Sequence, residues 1–284
     1  ECALLDLAAR LRGLPLHAML AELDADADAG DADDGTGAAG SASVVERSVG
    51  TGSASVAVNG VIGMGSPEES AEEARRLVAE GYGCVKMKVG GAALEEDVAR
   101  VRAVRMAVPE ELLLRLDANG AWDFAMAEEA LREFALYDIE YIEQPVAARA
   151  TDELAALTAV GIMAVAADES AQDLTVARAL LARGGADIFV IKPMAAGGLV
   201  DARRFAREAA AAGCDVVFTS LVDSAIGRSA VAQLCASLPT MRRYHGLATG
   251  DFFLEDTAPE MISRGRFMLV AAPGIGVDPE WESP

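Results

Sequence analysis

Short apolar runs alternate with amphipathic segments from Val56 onward. The runs have the pattern of buried strands, whereas the segments between them carry apolar residues at the spacing of a helix. The runs predict strands that end near Ile62, Lys88, Asp117, Glu143, Asp168, Lys192 and Ser220, with a weaker eighth near Thr249. The segments predict helices over Pro67–Glu80, Leu94–Val108, Ala125–Leu136, Asp152–Ala159, Leu174–Arg183, Val200–Ala212 and Ser224–Ala236.

The regular alternation of strands and helices indicates the fold class. Successive strand ends lie about 25 residues apart, which is the length of one strand, one helix and two short loops. The sequence therefore predicts an α/β fold, a TIM-like barrel of the (β/α)8 type. An open doubly wound sheet is the alternative, but its glycine fingerprint is missing after the first strand, where the sequence reads Gly60-Val61-Ile62-Gly63-Met64-Gly65.

Two of the predicted helices begin with capping residues. Ser66 precedes Pro67 and stands three residues before Glu69, which is the arrangement of a capping box. Thr151 precedes two acidic residues and is the predicted cap of the fourth helix. These caps support the predicted helix starts.

The first part of the chain follows a different pattern. Cys2 to Leu20 has helical spacing that is interrupted at Gly13-Leu14-Pro15. Asp24 to Ser43 is a low-complexity run of Asp, Ala, Gly and Ser, which has almost nothing to bury. We expect this run to be a disordered acidic loop.

The formal net charge of −21 restricts the partners of the protein. Phosphate groups would be repelled, so nucleic acid and anionic membrane surfaces are excluded as partners. No uninterrupted apolar stretch is long enough to cross a bilayer and no secretory signal is recognisable, so we expect a cytoplasmic protein. The four cysteines have no paired spacing and are expected to be reduced core residues. Homo-oligomer formation stays open.

Lysine is nearly absent from the sequence, and its three occurrences all fall in strand-like runs: Lys86, Lys88 and Lys192. Lys86 and Lys88 share one face of their strand, and we expect this crowding to lower the pKa of at least one of them. An edge strand protected by lysines is the alternative. The scarcity of lysine on an acidic chain also suggests adaptation to a cytosol of high salt, with an Ala- and Arg-rich genome bias as the other explanation.

Three consecutive predicted strands end on a carboxylate, at Asp117, Glu143 and Asp168. The carboxyl ends of barrel strands form the face where catalytic residues of such barrels lie. Three carboxylates that converge there supply hard oxygen ligands suited to Mg²⁺, with Mn²⁺ as an alternative. A single carboxylate at a strand end is more often a helix cap, but three in register between the lysines favour a metal site.

These residues occur in an ordered set of motifs that resembles the enolase superfamily, muconate-lactonizing subgroup. The resemblance runs from about Val56 to Asp251 and is closest to the o-succinylbenzoate synthase family. The motifs are Lys86-Met87-Lys88, Asp117-Ala118-Asn119, Ile142-Glu143-Gln144-Pro145, Asp168-Glu169-Ser170, Ile191-Lys192-Pro193 and Thr219-Ser220-Leu221-Val222-Asp223-Ser224-Ala225-Ile226-Gly227-Arg228.

The resemblance implies a role for each site residue. Lys88 would be the general base that removes the proton next to a substrate carboxylate, assisted by Lys86. Lys192 would lie on the opposite face as a cation over the substrate ring. Asn119 and Glu169 would support the site, although a turn or cap role is an equal alternative. Thr219 and Ser220 are candidates for substrate contacts.

The resemblance also implies a domain organisation and a reaction. The barrel would take the modified (β/α)7β form with remnants of an α+β capping domain. Residues 1–22 would be a helix linking to that domain, 23–55 the acidic loop and lead-in, 56–250 the catalytic barrel, and 251–284 a segment returning toward the capping domain. The expected reaction dehydrates a small carboxylate substrate, 2-succinyl-6-hydroxy-2,4-cyclohexadiene-1-carboxylate, to 2-succinylbenzoate in menaquinone biosynthesis.

Two other functions stay open. A dipeptide epimerase or N-acylamino acid racemase on the same scaffold would use lysines on both faces. Dipeptide epimerases typically carry an Asp-x-Asp pair at the eighth strand, where this sequence reads Gly246-Leu247-Ala248-Thr249-Gly250-Asp251. A non-catalytic barrel subunit is the second alternative. Such a subunit is expected to have lost a metal ligand or a lysine of the site, and this sequence keeps all of them.

Overall fold

A computed structural model describes residues 1–30, 55–238, 243–259 and 261–278. The helices are α1 (Cys2–Leu11), α2 (Leu16–Gly30), α3 (Pro67–Ala79), α4 (Leu94–Ala107), α5 (Phe124–Phe134), α6 (Thr151–Val160), α7 (Leu174–Ala182), α8 (Leu199–Ala211) and α9 (Ala225–Ala236). The strands are β1 (Ser55–Ala57), β2 (Gly60–Ile62), β3 (Cys84–Lys88), β4 (Leu113–Asp117), β5 (Ile139–Glu143), β6 (Val165–Ala167), β7 (Ile188–Ile191), β8 (Asp215–Phe218), β9 (Ile262–Ser263) and β10 (Arg266–Met268).

The main sheet is parallel and has the strand order β2-β3-β4-β5-β6-β7-β8. Its two edges are joined through His245 and Gly246, which form parallel bridges to Val58 and Thr219 respectively. The Asn59 amide donates to the His245 carbonyl oxygen at 3.0 Å, and the Gly246 amide donates to that of Phe218 at 2.9 Å. The sheet therefore curls into a barrel, which confirms the predicted α/β barrel class.

The eighth position of the barrel differs from the sequence prediction. A weak strand was expected near Thr249, whereas in the described stretch 243–259 the pairing is limited to His245 and Gly246. A Cβ atom on Gly246 would collide with the side chain of Thr219, so this close approach requires glycine. A stretch of two paired residues is too short to show the alternating or apolar pattern by which a strand is recognised in a sequence.

The barrel has an outer and an inner apolar layer. The outer core lies between the strands and the surrounding helices and includes Leu114, Leu116 and Phe189. A small inner cluster fills the barrel and consists of Tyr141, Ala166, Ile188, Val190 and Val217. Because side chains alternate along a strand, the residues two positions after this inner layer also face the interior, at the carboxyl ends of the strands.

The seven helices that follow the strands agree with the predicted segments to within two residues at each end. At α3, the Glu69 amide donates to Ser66 Oγ at 3.2 Å and the Ser66 amide to Glu69 Oε2 at 2.8 Å, which confirms the capping box. The predicted Thr151 cap was wrong. Helix α6 already begins at Thr151, with Ala150 at the cap position and no side-chain capping bond, because the Leu154 amide already bonds to the Ala150 carbonyl.

The first part of the chain forms two helices, as predicted, and Gly13 between them has φ +66°. The acidic loop predicted to begin at Asp24 was wrong over its first residues, since α2 continues to Gly30. Alternating alanines keep helix propensity high there. The rest of that loop lies outside the described residues.

A small antiparallel sheet of order β1-β10-β9 lies beside the barrel. It places the C-terminal strands next to the strand that leads into the barrel. The domain boundaries given above stay a prediction. Among the described residues, no helix is long and apolar enough to cross a membrane, and all four cysteines are unpaired.

Candidate active site

A cavity of about 380 Å³ opens at the carboxyl ends of the barrel strands. Nine of the ten predicted site residues line it: Lys86, Lys88, Asp117, Asn119, Asp168, Glu169, Lys192, Thr219 and Ser220. The tenth, Glu143, is 1% exposed and pairs in register with Asp117 on the neighbouring strand. The fold thus brings all of them together, because each strand ends at the same face of the barrel.

The three lysines pair with the three carboxylates. Lys86 Nζ lies 3.0 Å from Asp117 Oδ2 and 2.9 Å from Glu143 Oε1. Lys88 Nζ lies 2.8 Å from Asp117 Oδ2. On the other side of the cavity, Lys192 pairs with Asp168. The site therefore concentrates both signs of charge at the carboxyl ends of the strands.

Burial and charge act in opposite directions on the pKa values of these groups. Burial raises the pKa of Glu143 to about 8, and the neighbouring Asp117 and Asp168 add to the rise against the effect of Lys86. Burial also acts to raise the pKa of Asp117, but Lys86 and Lys88 outweigh it and hold that pKa at about 2. The two carboxylates thus have very different proton affinities.

The predicted lowering of a lysine pKa by crowding was wrong for Lys86. Burial lowers its pKa, but the carboxylates of Glu143 and Asp117 outweigh burial and raise it well above the ordinary value. The sequence argument counted only the neighbouring lysine, whereas both carboxylates come from other strands.

The residues at this face fit a divalent cation. Glu143 Oε2 is buried and has no hydrogen-bond partner among the described residues, although a buried carboxylate oxygen ordinarily has one. Asp117, Glu143 and Asp168 supply the carboxylate oxygens that Mg²⁺ prefers. In the part of the chain that is described, no three acidic, His or Cys side chains are already spaced as a closed metal site. A cation held by these carboxylates would compete with their ion pairs to Lys86 and Lys192.

Asn119 connects the base candidate to the far side of the cavity. Lys88 Nζ donates to Asn119 Oδ1 at 2.6 Å, and Asn119 Nδ2 donates to Glu169 Oε1 at 3.0 Å. The Asn119 backbone amide donates to Asp117 Oδ1 at 3.1 Å, and its φ is +46°. Asn119 therefore orients Lys88, Asp117 and Glu169 at once.

Thr219 and Ser220 use their hydroxyl groups within the barrel wall. Thr219 Oγ1 donates to the Gly246 carbonyl oxygen at 2.8 Å. Ser220 Oγ lies 2.8 Å from Thr249 Oγ1. Both residues line the cavity, but their contacts tie the end of β8 to residues 245–252, the segment that closes the barrel between β8 and β2 and is called the closing segment below, so substrate contact stays a prediction.

Sequence reasoning missed the structural role of Gln144. This residue is fully buried, and its Oε1 accepts hydrogen bonds from the backbone amides of Asp168 and Ser170 at 3.0 and 3.1 Å. Its Nε2 donates to Val146 O and Ser170 Oγ, both at 2.8 Å. Gln144 thus fixes the turn that carries Asp168. The only sequence signal is a polar residue between the carboxylate of Glu143 and a proline.

The Enolase C-terminal domain-like family profile matches residues 69–283. The chain belongs to the enolase superfamily. It is 31% identical over 220 residues to the o-succinylbenzoate synthase of Desulfotalea psychrophila, which covers 76% of this chain and 59% of the relative. It is 36% identical over 222 residues to the hydrophobic dipeptide epimerase of Enterococcus faecalis, with 76% of this chain and 62% of the relative covered. Against the o-succinylbenzoate synthase of Mycolicibacterium smegmatis it is 38% identical over 197 residues, with 68% and 59% covered.

Solved structures agree with this assignment. The dipeptide epimerase from Enterococcus faecalis, crystallised in complex with Mg and the dipeptide L-Leu-L-Tyr, superposes with a TM-score of 0.80 at 28% identity. The superposition covers 97% of this chain and 70% of that one. Among the curated relatives, the chain spans 59% of the length of the Desulfotalea psychrophila synthase and 62% of that of the Enterococcus faecalis epimerase. By their names these superfamily relatives are enzymes, both synthases and epimerases.

Proposed function

We propose that the protein is an Mg²⁺-dependent o-succinylbenzoate synthase. The proposal rests on the residues that the closing segment contributes to the cavity wall. Gly246, Ala248 and Thr249 line the cavity there, and no carboxylate of that segment is among the described residues that line it. An epimerase acting on a dipeptide needs negative charge for the substrate ammonium group, whereas the synthase substrate has no ammonium group to bind.

Lys88 carries the central step of the proposed reaction. As a neutral amine, it would remove the proton next to the substrate carboxylate. It would then return that proton to the departing hydroxyl group, so that a C–H and a C–O bond break, a ring double bond forms and water leaves. Asn119 supports this role because its contact at 2.6 Å holds Lys88 at the cavity.

Lys192 would act from the opposite side without exchanging a proton. Its side chain is 14% exposed and lies at the cavity wall. As a cation over the substrate ring, it would stabilise the negative charge that develops there. Lys86 also lines the cavity and would contact the substrate carboxylate, and its high pKa keeps it cationic.

Asp117, Glu143 and Asp168 would hold the Mg²⁺, with Mn²⁺ as an alternative. The cation supplies Lewis-acid stabilisation of the substrate carboxylate when it is bound. The buried Glu143 Oε2, which has no hydrogen-bond partner in the described part of the chain, supports this assignment. We place the activity in the cytoplasm and propose a small carboxylate as the substrate. Homo-oligomer formation stays open.

A dipeptide epimerase is the second candidate. Lys88 and Lys192 both face the cavity, as a two-base exchange requires. The 36% identity to a hydrophobic dipeptide epimerase favours the same reading.

One assay separates the two candidates. Purified protein with Mg²⁺ is offered 2-succinyl-6-hydroxy-2,4-cyclohexadiene-1-carboxylate and, separately, a panel of L,L-dipeptides. We expect formation of 2-succinylbenzoate and no epimerisation. Epimerisation of dipeptides with no dehydration would reject the synthase proposal and favour the epimerase.

A further inference from the structure

A buried ion pair on α4 lies directly behind the strand end that carries Lys88. Asp97 and Arg100 are 0% and 3% exposed, and Arg100 Nη1 lies 2.8 Å from Asp97 Oδ1. Charged side chains are rarely buried to this degree, because each charge must regain in contacts what it loses in hydration. The additional contacts of the pair therefore indicate what it holds in place.

Apart from a contact of Arg100 Nη1 with Met64 Sδ at 3.5 Å, those contacts go to backbone groups at or near Lys88. Arg100 Nη1 donates to the carbonyl oxygen of Lys88 at 3.0 Å. Asp97 Oδ2 accepts from the amide of Gly90 at 2.6 Å. Arg100 Nη2 donates to the carbonyl oxygen of Gly63 at 2.7 Å, in the loop that follows the neighbouring strand β2. The pair is therefore hydrogen-bonded to the backbone at Lys88 and at Gly90, two residues later.

The backbone at Val89 and Gly90 is also restricted by contacts other than the ion pair. The Val89 amide donates to the Asp117 carbonyl oxygen at 2.9 Å, which continues the pairing of β3 with β4. Gly90 has φ +82°, and a Cβ atom there would lie 2.5 Å from Ala121 Cβ. Together with the ion pair, these contacts fix the direction in which the Lys88 side chain leaves the backbone.

We propose that Asp97 and Arg100 are a positioning pair for Lys88. They hold the backbone on both sides of this lysine so that its amine meets the substrate carbon in a reactive geometry. The inference rests on the proposed function, in which Lys88 is the base. A displacement of about 1 Å at a reacting group is enough to lower a rate on the order of 100-fold, so control of the backbone matters for such a base.

The same helix provides a matched control. Arg105 also donates to two backbone carbonyl oxygens, those of Leu112 at 3.0 Å and Pro109 at 2.6 Å. These groups precede β4 and so lie at the other end of the barrel from the cavity. Arg105 is half-buried, and Arg105→Met removes its two hydrogen bonds to backbone carbonyl oxygens without touching the chain near Lys88.

The test compares the double variant Asp97→Leu/Arg100→Met with Arg105→Met and the wild type. Replacing both partners of a buried ion pair by apolar side chains is commonly tolerated, so the double variant is expected to fold. We expect its kcat to fall about 10- to 100-fold, with KM and Mg²⁺ affinity within about threefold of wild type. Arg100→Lys keeps the charge but not the forked geometry, so we expect its kcat to lie between those of the double variant and the wild type.

A second readout is independent of turnover. Hydrogen exchange of the Gly90 amide should accelerate at least tenfold in the double variant and stay unchanged in Arg105→Met. Unchanged exchange at Gly90, or an equal loss of kcat in Arg105→Met, would overturn the inference. A wild type that turns over neither substrate rejects the proposed function instead, and the Gly90 exchange then still decides whether the pair fixes this backbone.

Discussion

Lys88 and Lys192 stand four strand positions apart in a barrel of seven strands and one closing segment, so they reach the cavity from opposite sides. Each is paired with a carboxylate, Asp117 and Asp168 respectively. A synthase and an epimerase place different demands on this arrangement. The synthase needs one base and one fixed cation, whereas the epimerase needs two bases.

Arginine substitutions distinguish these two demands. Arginine keeps the positive charge but does not deprotonate in proteins. We expect Lys88→Arg to be inactive and Lys192→Arg to keep measurable turnover, as the synthase mechanism requires. The measurement is solvent deuterium exchange at the substrate α-carbon, and incorporation from both faces in the wild type, with one face blocked in Lys192→Arg, would contradict the single-base mechanism.

Removing a proposed metal ligand should abolish metal binding. Asp168→Ala takes away one of three carboxylates, and we expect no Mg²⁺ binding by calorimetry and no activity. Asp173→Asn is the matched control, because Asp173 caps α7 at the surface through the Thr175 amide at 2.7 Å. Unchanged Mg²⁺ affinity in Asp168→Ala would rule out the metal assignment.

The positions of Asp117, Glu143 and Asp168 in one layer followed from the spacing of strand ends along the chain. Parallel strands in a barrel leave their carboxyl ends at one face, so residues at matching positions must meet there. The high pKa of Lys86 could not be predicted in the same way, because it depends on which carboxylates other strands bring within 3 Å. Local pattern gives the layer in which a residue lies but not its partners.

Gln144 illustrates the same limit at a buried amide. Its sequence neighbours give no sign that Asp168 and Ser170 lie within hydrogen-bond distance. Gln144→Leu would leave both of these backbone amides without their partner, at a cost of about 2 to 4 kcal/mol in the free energy of unfolding. We also expect weaker Mg²⁺ binding, since the turn that carries Asp168 loses its support.

Gln233→Leu is the control for that prediction. Gln233 is also fully buried and bonds to Ile275 O at 3.0 Å and to the His17 amide at 3.0 Å, away from the residues that line the cavity. It should lower stability without lowering Mg²⁺ affinity. Equal Mg²⁺ affinity in both variants would remove the special role of Gln144.

The negative net charge of the chain predicts a salt dependence of stability. With a net charge of −21, mutual repulsion among carboxylates destabilises the folded chain in dilute buffer. The Debye length falls from about 30 Å at 0.01 M salt to about 3 Å at 1 M, so KCl should raise Tm over this range. Thermal unfolding in a KCl series measures this, with NaCl as the control for ion identity, and a constant Tm would exclude the halophilic interpretation.

His245 predicts a pH dependence of stability that has nothing to do with catalysis. Its Nδ1 accepts a hydrogen bond from the Phe218 amide at 3.0 Å, and its ring stacks on that of Phe218 with centroids 5.8 Å apart. Burial, together with the charge of Arg115, lowers its pKa from 6.5 to about 3. The folded protein therefore keeps the imidazole neutral at pH values where the unfolded chain protonates it.

The sign of the effect follows from this difference. Above pH 6.5 neither state binds the proton and the folded state has its full stability. As pH falls from 6.5 toward 3, the unfolded chain gains one proton more, and the free energy of unfolding falls by about 1.4 kcal/mol per pH unit from this group. His245→Asn keeps a hydrogen-bond acceptor without a titrating group, so its pH slope in denaturant unfolding between pH 4 and 6 should be smaller by one proton. Identical slopes in the variant and the wild type would mean that His245 is protonated in the folded barrel as well. That result would contradict a neutral imidazole that accepts the hydrogen bond of the Phe218 amide.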